Sequence, residues 1–214
     1  MKAARNPNSM TFPNGFLDFL SPSPEQRNKL DNYEIDPDRL HYFNSVLQDI
    51  CSGAPSLNMD QIITAARRVL ARYSGGQRPV FVESRLQALM RLEEMAANAG
   101  WELSVQDRGR IARLRTYVQE PEGLLPDALP VIGQLDDALL IDVALQVLHD
   151  ELADYEDYCR FCQVAADFAS VEVTEVGLTR AHWYEALMQA YDRQPQRQST
   201  KYTPDIRVSL FHIH

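Results

Sequence analysis

Cysteine is scarce in this chain. Three residues in 214 (Cys51, Cys159 and Cys162) are too few for a disulfide framework, and the count is odd. Only 9 glycines and 12 prolines exclude a collagen-like or wholly disordered chain. Long apolar runs are missing too: the longest, Ala138 to Leu148, is interrupted by Asp142 and Gln146. A bilayer span needs about 20 apolar residues, so integral membrane insertion is not expected. No apolar stretch follows Lys2 and Arg5, so no signal peptide is expected either. Positive charge is short as well. Lys and Arg total 21 against 30 Asp and Glu, a net −9, and that balance repels a phosphate backbone. Nucleic acid is therefore not an expected partner, and a reducing cytoplasm is the expected location. No G-x-S-x-G, P-loop, G-x-G-x-x-G or H-E-x-x-H pattern occurs.

What is present is helical periodicity. Residues 1–37 read as an extended or disordered tail, with Pro7, Pro13, Pro22, Pro24 and Pro37 and one apolar island, Phe16–Leu20. From Asp38, Leu40, Phe43, Leu47 and Ile50 step by three and four, and Gly53 closes the segment. Asn58 is placed to cap a second helix striped by Ile62, Ala66, Val69, Leu70 and Tyr73, with Gly75-Gly76 as its stop. Phe81–Asn98 puts Leu86, Leu89, Met90 and Met95 on one face, with Gly100 as its C′ residue. Ser104–Val118 gives a fourth helix. A proline-rich connector, 121–133, leads into a long helix over 136–170. Val171–Val176 alternates as a short strand or extended link, and Thr179 opens a last helix through Trp183, Leu187 and Tyr191. Residues 206–214 read as an edge strand. The expected fold is all-α: an irregular multi-helix bundle with an N-terminal tail and minimal β structure at the C-terminus. Its parts are a tail (1–37), helical halves of one domain (38–120 and 121–193) and an extension (194–214).

In the long helix, Ile141, Leu145, Leu148, Leu152, Tyr155, Cys159, Cys162 and Ala166 form an a/d seam. A single rod over 141–166 is expected, with both thiols hidden on it. The C-x-x-C pair then reads as small buried hydrophobes rather than a zinc or exchange site. Asp142, Asp150, Glu151, Asp154, Glu156 and Asp157 lie on the other side and read as a solvated face. Charge is divided. Arg67–Arg115 holds ten Arg against five acids, and Thr116–Val176 one Arg against fourteen. Either the basic helices pair with the acidic one, or the acidic side faces a partner.

The connector carries the most specific chemistry. Pro126 and Pro130 disfavour helix before them, Asp127 can cap a short turn, Gly133 frees the backbone, and Asp136 or Asp137 can cap the long helix. Three carboxylates around a rigid turn (Asp127, Asp136 and Asp137) could also hold a divalent cation such as Mg²⁺ or Ca²⁺, although caps and a fixed turn are the plainer account. His212 and His214 share a strand face but read as a frayed end.

Leu124-Leu125-Pro126-Asp127, Leu129-Pro130-Val131-Ile132-Gly133 and Leu135-Asp136-Asp137, followed by Ala138–Phe161, resemble the bacterial YkvA-like domain, a family of unknown function. The resemblance covers about forty residues. Where that family often carries Asp before the Leu-Ile-Pro-Asp run, this chain has Gly123. The resemblance implies no reaction, substrate or cofactor.

Three functional readings follow. The first is a non-catalytic module that binds a protein, or regulates one, through its acidic face or its tail. The second is a metal-dependent hydrolase built on Asp127, Asp136 and Asp137. The third is peripheral membrane association through Arg67, Arg68 and Arg72. The absence of a nucleophile–base arrangement favours the first.

Overall fold

Among the described residues, regular backbone begins with a two-residue antiparallel pairing of β1 (Lys29–Leu30) with β2 (Tyr33–Glu34), Lys29 opposite Glu34. The structure is a computed structural model and describes residues 29–30, 33–73, 79–121, 123–129 and 131–192. Phe16–Leu20, Gly75-Gly76 and the expected strand at 206–214 lie outside these residues. The expected tail ends earlier than residue 37, because Ile35 is a core residue at 1% exposure.

Among the described residues there are seven α-helices. Helix α1 (Pro37–Ile50) starts where Asp36 accepts the Asp38 N–H at 2.9 Å and Pro37 presets the first-turn φ. It buries Phe43, Val46, Leu47 and Ile50. Asn44 pins the next loop through both amide atoms, donating to Leu57 O at 2.9 Å and accepting from Leu57 N at 2.8 Å. Gly53 takes φ +93°, a conformation that side chains with a Cβ avoid. Helix α2 (Met59–Arg72) opens on a capping box between Asn58 and Gln61 and buries Ile62, Ile63, Ala65, Ala66 and Val69. The stripe beside Arg67, Arg68 and Arg72 is thus used up by the core.

Helix α3 (Val80–Ala97) buries Val82, Ala88, Leu89, Leu92 and Met95. Its face is rotated from the expected one: Met90 is exposed because the buried row advances from Leu89 to Leu92 and Met95. The helix ends at an extended Asn98, not at a glycine C′ residue. Gly100 is required for space: a Cβ there would meet the Tyr158 hydroxyl and come within 2.7 Å of Leu178 O. Helix α4 (Val105–Val118), capped by Ser104, buries Ile111, Leu114 and Tyr117.

Helix α5 (Leu135–Val147) is the axis of the domain. It is buried on nearly every side, and α1, α3 and α4 pack around it. The expected single rod is broken after it. Leu148 leaves helical geometry (φ −100°, ψ 13°), and a separate helix α6 (His149–Ala169) begins. The hydrogen bonds Leu148 N to Ala144 O (2.9 Å) and Leu152 N to Leu148 O (2.8 Å) carry across the joint. Asp150 and Glu151 in the first turn of α6 answer the dipole of a new N-terminus. The seam residues still face inward on both pieces, except that Leu145, Leu152 and Cys159 are only half-buried.

Ser170, in the left-handed region (φ 56°), ends α6. The alternating segment after it is not a strand: Val173–Glu175 forms a 3-10 turn. Helix α7 (Arg180–Asp192) packs back on α6. No helix among the described residues is long and apolar enough to cross a membrane.

Candidate functional site

The three aspartates of the connector have different environments. Asp127 is exposed on the turn. Asp136 and Asp137 are 4% and 3% exposed, and they are the two buried charged residues of the described chain. Asp136 caps nothing in α5, which starts at Gln134 without a side-chain cap. Its Oδ2 instead accepts from the Tyr117 hydroxyl at 2.7 Å, Leu124 N at 2.9 Å and Leu125 N at 3.3 Å. The carboxylate thereby ties the 123–125 bend to the start of α5 and the end of α4. Gly123 belongs to the same construction: a Cβ would stand 2.9 Å from Asp136 Oδ2 and 3.2 Å from the Tyr117 hydroxyl. Arg39 donates to Gly123 O at 3.2 Å from α1.

Burial raises Asp136 to about 6, against the lowering effect of its hydrogen-bond donors. Burial and the neighbouring Asp136 carboxylate push the Tyr117 hydroxyl far up, so it stays a donor. Asp136 Oδ1 has no hydrogen-bond partner, and the residue borders a cavity of about 20 Å³ that is otherwise lined by apolar side chains such as Leu57, Ile62 and Leu139. The chemistry of this cluster is that of a fastening. Among the described residues, no three His, Cys, Asp or Glu side chains are placed to share a metal ion.

A second constellation was not legible in the sequence. An open groove of about 680 Å³ runs between α6, the Asn98–Gly100 turn and the 173–179 segment. Both thiols of the C-x-x-C pair line it, Cys162 buried and Cys159 half-buried. The expectation of hidden thiols holds for Cys162, which belongs to the core, and only in part for Cys159. The groove exists because the chain returns after α6. Tyr158 donates to Leu178 O at 2.8 Å, and Arg180 N donates to Gly100 O at 2.7 Å. Behind this wall Trp101, Tyr155, Tyr158 and Trp183 pack with ring centroids 5.3 to 6.2 Å apart. The Arg180 guanidinium lies 4.1 Å over Trp101 and bonds Glu151 at 2.5 and 3.1 Å. Burial raises the Cys159 thiol, with Glu94 and Glu156 adding to it.

The charge division is partly an internal matter. Arg85 of α3 pairs with Asp142 of α5, and Arg91 with Glu156 of α6 at 3.3 Å. The remainder is concentrated at one end. From Asp150 to Asp192 there are ten acids and two arginines, a net −8 of the chain's −9.

That same end displays apolar side chains. Val164 is 67% exposed and Phe168 93%, four residues apart on α6. Tyr184, Leu187 and Met188 are 60%, 47% and 49% exposed, on one side of α7. Val171 and Val173, in the link between the two helices, are 41% and 39% exposed. No protein-family model, curated protein or solved structure matches this chain.

Proposed function

We propose that this chain is a non-catalytic helical module that binds a protein partner at its α6–α7 end, and that the partner segment is a basic amphipathic helix. The observation that carries the reading is the exposure of large apolar side chains on α6 and α7: Phe168, Val164 and the Tyr184–Leu187–Met188 stripe. Apolar side chains grouped on a surface and rimmed by polar ones mark interaction sites. The rim here is acidic: Asp167, Glu172, Glu175 and Glu185 are all exposed. Charge complementarity therefore selects a partner with Lys or Arg flanking an apolar row at helical spacing. The reading rests on this surface, not on the inward seam of α5 and α6. The engagement of Asp136 with three structural donors supports a binding role over hydrolysis. The resemblance of residues 121–161 to the YkvA-like family is also proposed, on the turn chemistry alone, and it brings no reaction with it.

The test is titration of the isotopically labelled protein with a Lys/Leu amphipathic helical peptide and with a scrambled peptide of equal composition. Amide shifts grouped on 164–173 and 184–188, given by the amphipathic peptide alone and weakening with salt, are expected. Equal response to both peptides, or shifts centred elsewhere, removes the reading.

A further inference from the structure

Cys159 and Cys162 stand three residues apart on one side of α6 and open onto the same groove. None of the three cysteines is in a disulfide. Helical neighbours at this spacing have Cβ atoms about 5–6 Å apart. A disulfide draws its Cβ atoms to about 3.8 Å, so closing one here would distort the middle of a 21-residue helix. The same spacing is comfortable for two sulfurs bridged by one ion. Zinc wants four ligands, and among the described residues no group of three or more His, Cys, Asp or Glu is placed to hold a metal ion. A soft monovalent ion with two-coordinate chemistry needs none, and thiolate pairs select Cu(I).

One further feature suits that ion. The surroundings are acidic: Glu94 and Glu156 lie close enough to act on Cys159. They make a cation welcome at the groove.

We propose that Cys159 and Cys162 form a two-coordinate Cu(I) site on the wall of the α6 groove. One Cu⁺ replaces two thiol protons, giving a bis-thiolate complex and releasing two protons with no change of oxidation state.

The experiment is an anaerobic competition for Cu(I) between the full chain and the chromophoric chelator bicinchoninate, read by absorbance. Wild type is expected to withdraw one equivalent. Cys159→Ser, at a half-buried position that tolerates the change, and Cys162→Ala are each expected to weaken withdrawal at least tenfold. Cys51→Ser, at the end of α1, is expected to keep the full equivalent. X-ray absorption of the loaded protein should show two sulfur neighbours. Urea unfolding of each variant separates loss of the site from loss of the fold, and a folded Cys159→Ser decides the matter. The proposal is overturned if wild type withdraws no copper, if the Cys159/Cys162 double variant still withdraws it, or if the chain holds Zn(II) in preference to Cu(I).

Discussion

Asp136→Asn is the substitution that separates fastening from titration in the 123–136 cluster. The carboxyl is buried, and its folded value is about 6 against an ordinary 3.8. Folding therefore favours the protonated acid. The stability this group contributes is fully present below about pH 3.8 and is lost as pH rises through about 6. The gap between those values corresponds to roughly 3 kcal/mol, at about 1.4 kcal/mol per tenfold change in affinity for the proton. Asparagine keeps a carbonyl oxygen for Tyr117, Leu124 N and Leu125 N and does not titrate. Urea unfolding of wild type and variant at intervals from pH 3.5 to 8 is the assay, with their difference cancelling all other titrating groups, including the burial-raised Asp142. Wild type is expected to lose about 2 kcal/mol relative to the variant between pH 4 and 7. A difference that stays constant with pH, or one in which wild type gains over that window, would refute the reasoning.

Two further predictions concern packing. Gly123→Ala places a methyl group 2.9 Å from Asp136 Oδ2 and should cost about 1–3 kcal/mol in urea unfolding; coupling to Asp136→Ala in a double-mutant cycle checks that the collision is the cause. Arg180→Ala removes a two-pronged bond to Glu151 and a cation over Trp101, both partly exposed, so a loss of about 1–2 kcal/mol is expected. The chain has two tryptophans, and both sit in this cluster, so a red-shifted emission without global unfolding would report α7 loosening.

Helix existence was legible because apolar residues recur at three and four and because caps are written locally. Asn58 and the helix opening at Ser104 mark starts that the structure keeps, whereas the cap at Asp36 before Pro37 lies inside the segment that reads as tail. The joint at Leu148 was not, because a seam of alternating three- and four-residue steps reads the same through a straight helix and through a one-residue break. The acids Asp150 and Glu151 were the local sign of a new N-terminus, and they were read as part of a charged face. Asp136 was singled out correctly as unusual but for another reason: its donors come from residues 117, 124 and 125, and sequence spacing does not show that Tyr117 points at it. The groove was illegible because it needs the return of 173–180 onto Gly100, a contact between segments nearly eighty residues apart. The seam made both thiols look enclosed; Cys162 is, and only the tertiary path shows that the half-buried Cys159 borders the groove.

The acidic, apolar end of α6 and α7 is proposed above as a surface for a basic amphipathic helix. Its most direct measurement is calorimetric titration of that peptide into wild type and into the Phe168→Ser, Leu187→Ser double variant, beside urea unfolding of both. Because Phe168 is almost wholly and Leu187 about half in solvent, stability should stay within about 1 kcal/mol of wild type, while affinity falls at least tenfold. Unchanged affinity in a folded variant, or a loss of stability as large as the loss of binding, would contradict the account.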